Sequence, residues 1–207
     1  MDVIRLYEEE FINKQFERKE LFEALQSKYN FEHALYPGSY VHVTPSFYIP
    51  KVVYVDSFKK AHTFFKDRET VTAFIEKNKA YPETPTYSFI FSDYAKPLNL
   101  QADSFDLLIS QWAGPISQRC KRYLKPGGLL LANNSHADAG IAYLDPDYQL
   151  EAVVNNSRGK YTISETDLYA YFIPKQDKEI SLDFLLASGK GIGYTKTAEN
   201  YLFKLRK

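Results

Sequence analysis

Short runs of consecutive apolar residues recur through the middle of the chain, each bounded by residues that favour turns. The clearest runs cover residues 88–91, 105–109 and 129–132. Unbroken runs of this length are typical of strands buried on both faces, as in parallel sheets covered by helices. Val52–Asp56 and the stretch His33–Ser39 predict two earlier strands, so the pattern indicates an open parallel sheet.

Helical spacing separates these runs. Residues 2–29 predict one or two amphipathic helices, and residues 57–79 predict a single helix that Ser57 can cap. Pro115–Leu124 predicts another helix, which the turn 125–128 closes before the next strand. Pro126 followed by Gly127 suits a type II turn, because proline restricts φ and glycine accepts positive φ. Strand, helix, turn and strand together predict a βαβ unit.

The pattern is weaker after residue 134. We expect a short helix over Asp138–Tyr143 and a hairpin formed by Tyr148–Val154 and Lys160–Ser164. Ile180–Ala187 and Asn200–Leu205 are predicted to be closing strands.

The composition narrows the range of functions. Its 26 basic and 26 acidic residues cancel, so no strong field would attract nucleic acid, although a local basic patch is not excluded. The single cysteine excludes an intrachain disulfide framework and fits a reducing compartment. The acidic N-terminal segment does not resemble a signal peptide, and no apolar run approaches the roughly 20 residues that span a bilayer. We therefore expect a soluble cytoplasmic protein.

Polar or small residues lie at the end of each predicted strand, namely Ser39, Asp56, Asp93, Ser110 and Asn133. Ligands of open parallel sheets bind beyond the carboxyl ends of the strands. The carboxylate of Asp56, 20 residues after Tyr36, could accept hydrogen bonds from both hydroxyls of a ribose. The alternative is that Asp56 only caps the following helix.

Asp93, the strand FDLLIS and the turn LKPGG together resemble the class I S-adenosylmethionine (SAM) dependent methyltransferases. The resemblance covers roughly residues 33–135. It implies an α/β fold with a doubly wound, mostly parallel, seven-stranded sheet (a Rossmann-like methyltransferase fold), ending in an antiparallel strand. An N-terminal helical extension would cover residues 1–32 and the methyltransferase-like domain residues 33–207. The implied function is methyl transfer from SAM to a small-molecule or macromolecular acceptor.

The same resemblance implies roles for the strand-end residues. Asp56 would bind the ribose, Asp93 the adenine amino group, and Tyr94 would lie against the purine. The segment from Ser110 would hold the methyl acceptor, and Trp112 would face the sulfonium or a flat substrate. An exposed turn at Asp93 and a core position for Trp112 are the alternatives.

The first loop departs from the family pattern. The acidic position falls at Tyr36 and the three glycine positions at Gly38, Tyr40 and His42, so one glycine remains, followed by Ser39. We expect the loop 36–45 not to adopt an open glycine-rich geometry, and Tyr40 or His42 to fill part of the methionine site. Two alternatives stay open: a non-catalytic binding or scaffold protein that has lost SAM binding, and a nucleotide- or nicotinamide-binding enzyme that uses Asp56.

No metal site or catalytic residue emerges from the spacing. The four histidines show no metal-ligand spacing with Cys120 or with paired acids. If the acceptor needs a general base, His42 and His136 are the candidates. Asp138 ends a stretch, Ser135–Asp138, with the composition of a catalytic triad, but neighbours in sequence seldom have triad geometry. The acceptor and the oligomeric state are not indicated.

Overall fold

The structure, a computed structural model, describes residues 2–176 and 180–207. It divides into two compact units, Met1–Leu98 and Asn99–Lys207. The domain boundary expected near residue 33 falls inside the first unit and stays a prediction. None of the helices in the described part of the chain is long and apolar enough to cross a membrane.

The first unit combines helices with three parallel strands in the order β3-β2-β1. Its elements are α1 (Val3–Tyr7), a π-helical turn (Glu8–Ile12), α2 (Lys19–Tyr29), β1 (His33–Pro37), a 3₁₀ turn (Thr44–Phe47), β2 (Lys51–Asp56), α3 (Lys59–Lys66), α4 (Arg68–Asn78) and β3 (Thr86–Phe91). The predicted N-terminal helices and the first three strands are therefore confirmed. The short 3₁₀ turn replaces a full helix between β1 and β2, because Pro50 stops helical hydrogen bonding just before β2.

The single helix predicted over residues 57–79 is wrong in two respects. Asp67 interrupts it, since the Asp67 side chain accepts the N–H of Thr70 and starts α4 as a new helix. At the beginning, Ser57 does not cap α3. α3 has no side-chain cap, and the Oδ1 of Asp56 accepts the N–H of Phe58, the residue just before the helix, at 2.8 Å.

The second unit contains five strands in the order β4-β5-β8-β6-β7. Its elements are β4 (Phe105–Ser110), α5 (Ile116–Arg119), a 3₁₀ turn (Lys121–Tyr123), β5 (Leu124–Ala132), α6 (Asp138–Leu144), β6 (Tyr148–Ser157), β7 (Lys160–Ser164), a 3₁₀ turn (Leu168–Phe172), α7 (Leu182–Ser188) and β8 (Asn200–Leu205). β4 and β5 are parallel, and the other pairings are antiparallel. The predicted hairpin and the antiparallel closing strand are confirmed.

Two sequence predictions fail in this unit. The strand expected over Ile180–Ala187 is the helix α7, because the Ser181 hydroxyl accepts the N–H of Phe184 and Leu185 packs against Ala137 and Ile141. The helix predicted to reach Leu124 ends at Arg119, and β5 begins at Leu124. The Pro126–Gly127 turn interrupts β5 and does not precede it, with Gly127 at φ +80°.

The described residues thus form eight strands, three in the first unit and five in the second, against the seven expected. Five of them, β1 to β5, pair in parallel. The mostly parallel α/β fold class is confirmed.

Asp67→Ala tests the break between α3 and α4. Loss of an N-cap oxygen typically lowers the free energy of unfolding by about 1 kcal/mol. Asp67→Asn keeps a capping oxygen and should stay close to wild type. Urea denaturation of both variants measures the difference, and equal losses would show that the side chain does not cap α4.

Candidate functional site

The carboxyl ends of β1, β2 and β3 lie at one edge of the first unit. Their parallel register pairs Pro37 with Val55 and Asp56 with Phe91. Gly38 and Ser39 directly follow β1, and both of their N–H groups donate to the Val55 carbonyl, at 2.8 and 3.4 Å. The candidates of this unit therefore share the edge at which parallel sheets bind ligands.

The Asp56 carboxylate joins two backbone segments at this edge. Its Oδ2 accepts the N–H of Tyr40 and its Oδ1 accepts the N–H of Phe58, both at 2.8 Å. Asp56 is only 4 % exposed. Because a carboxylate has about four lone-pair positions, one position on each oxygen remains for a further donor. The helix cap considered for Asp56 is not observed, because α3 has no side-chain cap; Asp56 instead bonds the residue before α3 and the loop after β1.

Tyr40 has a left-handed backbone conformation, which glycine adopts more easily than a residue with a side chain. Its φ is +49°, and Gly38 has a φ of +66°. A left-handed conformation costs an L-residue with a side chain roughly 1–2 kcal/mol. The Asp56 bond to the Tyr40 N–H helps to hold this strained position, and the Tyr40 ring meets the Phe58 ring edge-on with centroids 6.3 Å apart.

Tyr36 and His42 lie in the core of the first unit. The His42 ring stacks on Phe11 with centroids 4.5 Å apart, and its Nε2 donates to the Glu17 carbonyl at 3.0 Å. Nδ1 then accepts from the Tyr36 hydroxyl at 3.2 Å. Burial raises the pKa of Tyr36 and lowers the pKa of His42 to about 3. The His42 imidazole is therefore neutral at physiological pH.

A pocket of about 720 Å³ lies beside Asp56. Phe58, which is 67 % exposed, and Tyr40 supply its aromatic surface. The complete lining consists of Glu10, Tyr40, Ser57, Phe58, Lys59 and Lys60. The pocket therefore combines aromatic rings with one acid and two lysines, a set suited to a ligand that carries both a flat ring and charges.

Asp93 and Tyr94 follow β3 in a turn. Asp93 is exposed; its Oδ1 accepts the N–H of Ala95 at 2.8 Å, and its carbonyl accepts the N–H of Lys96 at 3.0 Å. Tyr94 is half-buried. The exposed turn considered for Asp93 is observed, and one carboxylate oxygen of Asp93 still faces solvent.

In the second unit, Ser110 ends β4 and is fully buried. Its hydroxyl donates to Asp138, whose carboxylate also accepts the hydroxyl and the N–H of Ser117. Burial raises the pKa of Asp138, against the opposing effect of these hydrogen bonds. The Ser110 hydroxyl thus anchors the segment between β4 and α5, a role that the sequence pattern did not indicate.

Trp112 lies at the surface of the second unit. It is 43 % exposed and has a φ of +50°, so the core position considered for it is not observed. The Trp112 carbonyl accepts a hydrogen bond from Nε2 of His136 at 3.0 Å. Within residues 2–176 and 180–207, no three His, Cys, Asp or Glu side chains are grouped as a metal site.

Two solved structures with a fold similar to this chain are methyltransferases. A methyltransferase from Geobacter sulfurreducens aligns over 79 % of this chain and 86 % of its own, with 14 % identity and a TM-score of 0.51. The N-methyltransferase NodS from Bradyrhizobium japonicum aligns over 93 % of this chain and 97 % of its own, with 12 % identity and a TM-score of 0.50. The chain has the methyltransferase fold. No protein-family model matches the sequence, and no curated protein does.

The sequence pattern missed several residues that line the pocket beside Asp56 or that hold the end of a strand. Phe58, Lys59 and Lys60 lie two to four residues after Asp56, the acid at the end of β2. Their closeness to this strand end was the signal available in the sequence. Glu10 and Asp138 had no signal of this kind, because their neighbours in space are distant in sequence.

Asp56→Ala should destabilise the protein, because it leaves the Tyr40 and Phe58 N–H groups without an acceptor. Each unsatisfied donor costs about 1–3 kcal/mol, so the loss of both partly buried bonds should lower the free energy of unfolding by about 2–6 kcal/mol. Asp56→Asn keeps one oxygen and should lose about half as much. Asp93→Ala, at an exposed position, is the control, and an equal loss for Asp93→Ala and Asp56→Ala in urea denaturation would contradict the role of Asp56.

Asp138→Asn tests the buried carboxyl group through pH. A carboxyl whose pKa is higher in the folded state contributes its stability fully below the unfolded pKa, and that contribution is lost as pH rises through the folded pKa. The free energy of unfolding of wild type relative to Asp138→Asn should therefore fall as pH rises from about 4. Urea denaturation between pH 4 and pH 7 measures this. A difference that stays constant or grows with pH would show that the Asp138 pKa is not raised.

Proposed function

We propose that the chain binds SAM at the carboxyl edge of β1, β2 and β3 and transfers its methyl group to an acceptor. The observation that carries this proposal is the aromatic and charged pocket beside Asp56. The methyltransferase fold supports it. We place this activity in the cytoplasm, which the buried, unpaired thiol of Cys120 supports.

The residues present fit SAM. The free lone pairs of Asp56 suit a ribose diol, because carboxylates accept hydrogen bonds from hydroxyls. The exposed Phe58 ring suits the adenine, and Asp93 has an oxygen for the exocyclic amine. Glu10, with Lys59 and Lys60, suits the zwitterionic methionine portion. Tyr40 narrows the pocket at a position where the family pattern has glycine.

SAM, when bound, supplies a methyl group already activated by the sulfonium. The chain would contribute orientation and proximity, which lower the barrier without covalent participation. Phe58 and Tyr40 would exclude water from one side of the pocket. His42 does not serve as a base, because it is buried in the core with both ring nitrogens hydrogen-bonded, and a pKa lowered to about 3 makes it a weak proton acceptor. His136 remains the candidate base if the acceptor must lose a proton.

A non-catalytic binding or scaffold role is the second candidate. The observation that favours it is the engagement of both Asp56 oxygens by backbone N–H groups in a side chain that is 4 % exposed. In that case the carboxylate is a structural link, and Tyr40 closes the position that a methionine tail would need.

Calorimetric titration with SAM and with its demethylated product separates the two candidates. We expect wild type to bind both ligands, and Phe58→Ala to weaken binding about 5- to 150-fold, because a stacked base contributes about 1–3 kcal/mol. Tyr169→Ala is the matched control, since Tyr169 is 68 % exposed in the second unit and should not affect binding.

Tyr40→Gly completes this experiment. Glycine adopts positive φ without strain, so the variant should stay folded and should bind SAM more tightly than wild type. Binding by Tyr40→Gly and none by wild type would favour the scaffold role. Absence of binding in both would remove the SAM proposal.

A further inference from the structure

The outer edge of β3 presents a row of backbone groups that do not bond to β2. Among the described residues, β3 pairs with β2 alone and lies at the end of the strand order. The N–H groups of Thr86 and Ser92 donate to carbonyls beside the two ends of β2, at 2.8 and 3.1 Å. Because a strand directs its backbone groups alternately to its two sides, Tyr87, Phe89 and Phe91 point their N–H and C=O groups away from β2. This edge can therefore accept another strand.

The β3 edge lacks the features that normally protect an edge strand. Charged residues, proline and β-bulges usually keep such edges from pairing. The sequence of β3, TYSFIF, contains no charge and no proline, and its register with β2 is unbroken. The edge strand of the second unit, β7, by contrast begins with the exposed Lys160. The composition of β3 thus favours pairing.

One face of β3 carries a row of aromatic rings. Tyr87, Phe89 and Phe91 share this face, since side chains alternate along a strand. Phe65 of α3 stacks on Phe89 with centroids 4.4 Å apart, and His62 of the same helix stacks on Phe91 at 4.5 Å. Phe91 is nevertheless 48 % exposed. The row is held in place by α3 and stays open toward the outer edge of the strand.

We propose that β3 pairs with β3 of a second copy of this chain, antiparallel and across a two-fold axis at Phe89. In this register Phe89 lies opposite itself, and Tyr87 lies opposite Phe91 of the second copy. These are the residues whose backbone groups point outward, so every pair can exchange two N–H···O bonds. Their rings meet on one face, and aromatic cross-strand pairs stabilise a sheet.

A second copy fits this edge because the edge is complementary to itself. A two-fold contact uses the same patch on both subunits, and the aromatic row satisfies that requirement. The chain has a net charge of zero, so two copies meet without overall repulsion. A strand of this length spans roughly 20 Å and buries less than a standard interface. The dimer should therefore be reversible and depend on protein concentration. The inference is independent of SAM binding.

Sedimentation equilibrium over a series of protein concentrations tests the dimer. The average mass of wild type should rise from that of one chain toward that of two. Phe91→Ala should raise the dissociation constant about 5- to 150-fold, because each dimer loses two aromatic pairs. Tyr169→Ala is the matched control, since Tyr169 is an exposed ring of the second unit and its removal should leave association unchanged.

A charge pair at Ser88 tests the register. Ser88 is exposed in the middle of β3, on the face opposite the rings. The proposed register brings the Cα atoms of Ser88 in the two copies to within roughly 8 Å of each other. Ser88→Lys and Ser88→Glu should each weaken self-association about two- to fivefold, and an equimolar mixture of the two should associate at least as tightly as wild type. The same pair of changes at Thr162, exposed in the middle of β7, is the control and should have no effect.

Three results would overturn the proposal. Wild type that stays monomeric at every concentration would exclude the second copy and leave the edge to an extended segment of another protein. A dimer that is equally stable in Phe91→Ala and Tyr169→Ala would place the interface elsewhere. A mixture of Ser88→Lys and Ser88→Glu that associates no better than either variant alone would refute the two-fold register. If Phe91→Ala does not fold, as judged by circular dichroism, the Ser88 mixture still decides.

Discussion

The carboxylate of Asp56 is the shared acceptor for the loop after β1 and for the residue that immediately precedes α3. Tyr40 and Phe58 are 18 residues apart in sequence, yet their N–H groups meet the same side chain, each at 2.8 Å. Both rings line the same pocket because both backbones are attached to one strand end. A charged acceptor paired with two backbone donors is strong in a buried setting, so this link determines the shape of the edge.

This link also brings two uses of Asp56 into competition. As a structural acceptor it holds Tyr40 in a left-handed conformation; as a ribose ligand it would need its remaining lone pairs to be reachable. The methyltransferase fold does not decide between these uses, because one fold supports many functions. The left-handed backbone of Tyr40, which the Asp56 bond holds, is the feature on which the two uses differ.

Asp138 plays a comparable part in the second unit, with hydroxyls as its donors. Ser110 and Ser117 bond to it from the two sides of the segment that contains Trp112. This arrangement fixes the end of β4 and the start of α5. Gln111, Asn133 and Asn200 are further buried polar residues of the second unit, and Gln111 and Asn200 are joined by a hydrogen bond.

The apolar runs determined the strands β1 to β5 and the mostly parallel α/β class, because burial on both faces leaves a pattern in consecutive residues. The sequence failed over residues 180–187, where an apolar run suits a strand or a helix equally and only the Ser181 cap and the contacts of Leu185 decide. It placed Asp56 at a strand end but could not show which atoms the carboxylate bonds. Tertiary structure alone decided the burial of His42, the exposure of Trp112 and the unpaired Nδ2 atoms of Asn133 and Asn200 among the described residues. Each of these depends on segments that are distant in the chain and meet only in the folded protein.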